Sequence, residues 1–110
     1  MSPEVYAAFE SICRPEAIDG PVLEVGAWPG PDSLLGLPAL ASIPGKTGIN
    51  MEAVASDDLI TMVVGNANAM DMFADESFGC VLCNATLEHD PRFWLTLAEI
   101  RRVTKPGGLV

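Results

Sequence analysis

Pro21-Val22-Leu23-Glu24-Val25-Gly26-Ala27-Trp28-Pro29-Gly30-Pro31 is the stretch on which the fold turns. Val22 to Val25 is a short apolar run broken by a single acid, and Gly26 and Gly30 bracket the loop that follows it. An apolar run of this length, bounded by turn residues, reads as a buried strand feeding a glycine-containing turn. In a doubly wound sheet such a turn sits at the carboxyl end of the strand, where small ligands bind. Trp28 and Pro29 are unusual residues for a ligand loop, so the stretch poses the question of whether it still holds one.

Upstream, Ser2-Pro3-Glu4 is a helix start with a capping hydroxyl, a proline in the first turn and an acid near the positive end. Val5, Phe9, Ile12 and Cys13 give that helix one apolar face, and Arg14-Pro15 ends it. Downstream, Pro31-Asp32-Ser33 opens a helical segment through Leu34, Leu35, Leu37 and Leu40 that Gly36 and Pro38 keep short or broken. Strands are expected at Lys46 to Met51, Leu59 to Val64 and Phe78 to Cys83, the last apolar on both faces as buried parallel strands are. Between the second and third strands, Ala53 to Asp58 provides only about half of the dozen residues that a parallel crossover needs. Asp90-Pro91 opens the strongest helix, with Asp90 as its cap and Phe93, Leu97, Ile100 and Val103 on its buried side. Lys105-Pro106-Gly107-Gly108 stops it, and Leu109-Val110 begins a fifth strand. Short apolar strands alternating with helical or turn segments predict one α/β domain over residues 1–110, a Rossmann-like parallel sheet with flanking helices.

Composition narrows the function classes. Of the 110 residues, 49% are hydrophobic, and the mean hydropathy of +0.30 excludes a disordered chain. Six basic residues against fifteen acids leave a net charge of -9, which argues against a nucleic-acid partner. Arg92, Arg101, Arg102 and Lys105 gather near the C-terminus and read as solvated helix residues. No apolar run is long enough to span a membrane, and no basic-then-apolar leader opens the chain, so a cytoplasmic location with no membrane partner is expected. Cys13, Cys80 and Cys83 are an odd set, unlike a secreted disulfide framework. Cys80 and Cys83 match the C-x-x-C spacing, but strand alternation sends the two thiols to opposite faces and no second ligand pair accompanies them. Buried, inert thiols and no metal site are the expectation.

The residues resemble the class I methyltransferases that use S-adenosylmethionine, specifically the type 11 methyltransferase domain. Two stretches carry the resemblance. The first is Val22-Leu23-Glu24-Val25-Gly26-Ala27-Trp28-Pro29-Gly30. The second runs from Gly65-Asn66-Ala67 through Phe73-Ala74-Asp75-Glu76-Ser77-Phe78, Leu87-Glu88-His89-Asp90 and Ala98-Glu99-Ile100-Arg101-Arg102-Val103 to Lys105-Pro106-Gly107-Gly108. The family's sheet has seven strands in the order 3-2-1-4-5-7-6. The resemblance assigns strands one to four and the start of five to this chain. It is then the N-terminal portion of the family fold, apparently truncated, or a partner covers the open sheet edge. A homodimer formed through that edge is expected.

The resemblance also implies a set of site residues. Glu24 matches the acid that orders the glycine loop, and Gly26 and Gly30 match its first and third glycines. Trp28 stands at the second glycine position, where an indole either fills the methionine pocket or swings out to form a wall. By the Gly-Ile-acid spacing, Asn50 falls at the ribose position, with Glu52 two residues on along the same face. A carboxylate accepts from both ribose hydroxyls whereas an amide does not, so Glu52 is the preferred ligand and Asn50 the reserve. Asn66 and Ala67 match the acid-alanine pair beside the adenine, with Asn66 keeping an acceptor there. Asn84 begins the segment after the fourth strand, where cofactor and acceptor meet. Glu88 and His89 in that segment are candidate proton acceptors, set against a plain role in starting the next helix.

The leading expectation is therefore an S-adenosylmethionine-dependent methyltransferase acting on a small molecule. The alternative is a non-catalytic binding or assembly module that keeps the fold with weak or no cofactor affinity. It is motivated by Trp28, Asn50, Asn66 and the short crossover. A nicotinamide-dependent oxidoreductase is weaker, because Gly26 and Gly30 lack the G-x-G-x-x-G spacing.

Overall fold

In the computed structural model, which describes residues 1–110, five parallel strands form one sheet in the order β3-β2-β1-β4-β5. The strands are β1 (Val22–Val25), β2 (Lys46–Asn50), β3 (Ile60–Val64), β4 (Phe78–Cys83) and β5 (Thr104–Leu109), flanked by helices α1 (Pro3–Cys13) and α2 (Phe93–Val103). The opening apolar run is the central strand. Val22 to Val25 pairs with Lys46 to Ile49 on one side and with Cys80 to Cys83 on the other. All four of its residues are buried, which is why the run shows no apolar-polar alternation.

Each face of the sheet carries its own core. On one, Val22, Cys80 and Leu82 pack with Cys13 of α1 and with Leu34, Leu35, Leu37 and Leu40. On the other, Leu23, Val25, Ile49 and Val81 pack with Ile100 and Val103 of α2. Cys80 and Cys83 fall in opposite cores, as alternation requires, and burial pushes the Cys80 thiol up to about 12. Phe78 breaks the alternation by joining Val81 rather than Cys80. The β4–β5 register slips between Phe78 and Cys80, and an irregularity of that kind turns a side chain to the other face.

Several local expectations need correction. Ser2 does cap α1, its Oγ accepting from the Val5 N–H at 3.2 Å. The inward stripe, however, is Tyr6, Phe9 and Cys13, while Val5 and Ile12 are exposed. Residues 34–40 form two short 3-10 turns, Leu34–Gly36 and Pro38–Leu40, as Gly36 and Pro38 dictate. Asp90 does not cap α2, which begins at Phe93 with Arg92 in the cap position. The buried residues of α2 are Thr96, Ile100 and Val103, and Phe93 and Leu97 lie exposed. β5 begins at Thr104, directly after the helix, rather than at Leu109.

The connection between β2 and β3 contains no helix, yet the strands pair in parallel from Lys46↔Ile60 to Asn50↔Val64. Asp57 Oδ1 accepts from the N–H groups of Leu59 (2.8 Å) and Ile60 (2.7 Å), and Ser56 Oγ accepts from Met62 N–H at 2.8 Å. The short link thus lies along the outer edge of β3 and satisfies donors that an edge strand would leave bare. No helix is long and apolar enough to cross a membrane.

Candidate functional site

A cleft of about 570 Å³ opens beyond the carboxyl ends of β1 to β4, where open parallel sheets place their ligands. That volume lies within the range of small-molecule sites, about 300–1,000 Å³. β1 contributes Val25 and Gly26, and β2 leads into Ile49, Asn50, Met51 and Glu52. The loop after β3 adds Gly65, Asn66, Ala67 and Asn68, and the segment after β4 adds Ala85, Thr86, His89, Asp90 and Pro91.

The floor is set by Gly26. It has φ +77°, and a Cβ there would strike the Thr86 hydroxyl, so a glycine is required twice over. The N–H groups of Gly26 and Ala27 both donate to the Ile49 carbonyl, at 2.9 and 3.1 Å, which pins the loop to β2. Glu24 holds it from behind, buried at 7% exposure and accepting from Ser33 Oγ at 3.2 Å and from the N–H groups of Leu34 and Leu35. Burial pushes the Glu24 carboxyl up to about 6, although those hydrogen bonds pull the other way. Trp28 is 60% exposed and takes no part in the cleft lining.

Asn50 is committed within the fold. Its Nδ2 donates to the Ala27 carbonyl and its Oδ1 accepts from the Glu52 N–H, both at 2.9 Å. It therefore couples the glycine loop to the turn that sets Glu52 in the cleft, and Glu52 keeps an exposed carboxylate. Asn66 Oδ1 accepts from Asn68 N–H at 2.9 Å, which occupies one of the two lone pairs of the acceptor expected for an adenine.

After β4, Ala85 adopts φ +54° at the cleft wall, and Leu87–His89 forms a 3-10 turn. His89 lines the cleft. Glu88, Asn84, Gly30 and Glu24 do not, so the structure gathers Gly26, Asn50, Glu52, Asn66, Ala67 and His89 from the expected set. Asp90 turns inward, its carboxylate accepting from Thr96 Oγ1 (2.6 Å), Asn68 Nδ2 (2.9 Å) and Arg92 N–H (2.9 Å). These bonds, the Thr96 hydroxyl first, hold it below the usual carboxylate range. Sequence reasoning missed Asn68 and Thr86. The two asparagines at positions 66 and 68, directly after a strand, were the only signal for the first, and Thr86 left none.

The model of the type 11 methyltransferase domain matches residues 46–110, more than half of the chain. The chain belongs to this family of class I methyltransferase domains. A solved structure of a Bacillus halodurans protein classed as a methyltransferase superposes with a TM-score of 0.72 at 25% identity, over 96% of this domain and 49% of that chain. The YcgJ protein of Bacillus subtilis shares the fold with a TM-score of 0.70 at 18% identity, over 94% of this domain and 50% of that chain. An uncharacterized methyltransferase of Mycobacterium tuberculosis is 53% identical over 38 residues, which is 34% of this domain and 15% of that protein. The methyltransferase domain thus spans about half the length of the solved relatives it matches.

Proposed function

We propose that this methyltransferase domain binds S-adenosylmethionine in the cleft and serves methyl transfer to a small-molecule acceptor, in the cytoplasm. The observation that carries the reading is the convergence of Gly26, Glu52, Asn66 and Ala67 on one cleft, with Trp28 left outside it. The residues fit the cofactor. Glu52 offers a carboxylate to a pair of vicinal hydroxyls, and Met51 and Ala67 give apolar surface for a flat base. Thr86 fills the space that any Cβ at position 26 would need, so the glycine lets the turn after β4 close against the loop after β1 and form the floor of the cleft.

Bound there, the cofactor supplies an electrophilic methyl on a sulfonium, taken by in-line displacement. The work of the chain is positioning, and a base is needed only where the acceptor carries a proton to be removed. Of the two candidate proton acceptors, His89 lines the cleft and is the one this reading assigns, whereas Glu88 lies outside the lining. Self-association through the β5 edge of the sheet belongs to the same proposal.

Calorimetric titration with S-adenosylhomocysteine tests the reading. Binding is expected, and Glu52→Ala should weaken it by roughly tenfold to a hundredfold, the range for a charged hydrogen bond. Failure of the unaltered chain to bind would instead favour the non-catalytic module.

A further inference from the structure

The cleft has two walls. Asn66 and Ala67 belong to the loop after β3, and His89 and Asp90 to the turn after β4. One side chain joins them. Asn68 Nδ2 lies 2.9 and 3.2 Å from the Asp90 carboxylate oxygens, 2.8 Å from Thr96 Oγ1 and 3.2 Å from the Arg92 carbonyl. Its own backbone N–H donates to Asn66 Oδ1, so the connection runs unbroken from Asn66 through Asn68 to Asp90. Asn68 and Asp90 are half-buried and Thr96 is wholly buried, which makes an unmatched member of the network costly.

We propose that Asn68 is a positioning residue for the site: it locks the loop after β3 to the turn carrying His89, so that the wall facing the cofactor fixes the wall facing the acceptor. The proposal rests on the reading of the cleft as an S-adenosylmethionine site. α2 itself does not depend on this lock, because Glu99 and Arg102 bind residues 70–75 independently. Loss of the Asn68 amide therefore loosens the turn rather than the helix.

The lock needs a donor on one wall and an acceptor on the other. Asn68→Asp sets two carboxylates against each other. Adding Asp90→Asn restores the pair with its polarity reversed, and Thr96 Oγ1 then donates to the carboxylate introduced at position 68 instead of to position 90. Hydrogen exchange of residues 85–91 and S-adenosylhomocysteine affinity are measured for the unaltered chain, the single variant and the double variant. The single variant is expected to raise exchange in 85–91 and to weaken binding, each by about tenfold, and the double variant to recover most of both. Where either acid-bearing variant fails to fold, Asn68→Ala removes the donor without adding charge and should raise the same exchange. Unchanged exchange in 85–91 after loss of the amide would overturn the lock, as would a folded double variant that recovers neither quantity. Absence of binding by the unaltered chain would retire the cofactor reading, while the exchange comparison still decides the lock.

Discussion

Glu24 is a carboxyl buried with hydrogen bonds but no ion pair, and its pKa of about 6 has a consequence for stability. A carboxyl raised in the folded state holds its proton more tightly than in the unfolded chain. Its stabilising contribution is full below its ordinary value of 4.5 and is lost as pH climbs through about 6. A rise of that size is worth about 2 kcal/mol. Glu24→Gln should therefore match the unaltered chain well below pH 4.5 and exceed it by about that amount at neutral pH, as denaturant titrations at the two pH values would read. Trp28, by contrast, has left the cleft for solvent. Trp28→Ala should change S-adenosylhomocysteine affinity by no more than about twofold, as exposed residues away from contacts do. A rise of tenfold or more in calorimetry would show that the indole does obstruct the site.

At the scale of elements, α2 is the piece that holds the cleft's outer loops. Thr96, Glu99 and Arg102, three apart, form a polar stripe along it. Arg102 donates to Glu99 Oε2 (2.7 Å), to Asp75 Oδ1 (2.8 Å) and to the carbonyls of Phe73 and Met70 (both 2.9 Å). Glu99 Oε1 accepts from Met70 N–H at 2.6 Å. Arg102→Leu should cost about 2 kcal/mol or more and release the amides of residues 70–76 to hydrogen exchange ahead of the helix. This stripe also explains what the sequence concealed. β1, β3 and β4 were legible because apolar runs between turn residues have few other uses, whereas β5 was not, its Thr104-Lys105-Pro106-Gly107-Gly108-Leu109 carrying turn residues through the strand. The inward face of α2 was not, because Thr96 is buried by bonds to Asn68 and Asp90 that periodicity cannot register. In α1, Phe9 and Cys13 of the expected face turned inward, with Tyr6 in place of Val5 and Ile12. The lining of the cleft was legible where it follows strand ends, at Gly26, Glu52 and Asn66. It was illegible where a side chain's free donors and acceptors depend on what the fold has already engaged, as for Asn50.

At the scale of the whole sheet, the five strands form one open layer with unlike edges. Ser56 and Asp57 lie along β3, whereas no loop hydrogen-bonds to the backbone of β5. The self-association proposed for these 110 residues is therefore assigned to β5, and their net charge of -9 resists it until salt screens the repulsion. Sedimentation should show a dimer fraction that grows with ionic strength and collapses in Val110→Lys. A monomer at every salt and concentration would count against the edge. The place of β1 carries one more consequence, for the order in which the chain is built. The first of the five strands is the innermost, and Val22 finds its second neighbour only when Cys80 arrives. Until then a nascent chain carries an apolar segment with one side unfilled, and loop closure over so long a separation is slow. A chain arrested before Phe78 should therefore leave Val22 to Val25 open to proteolysis, whereas the same segment in the 110-residue chain should resist it.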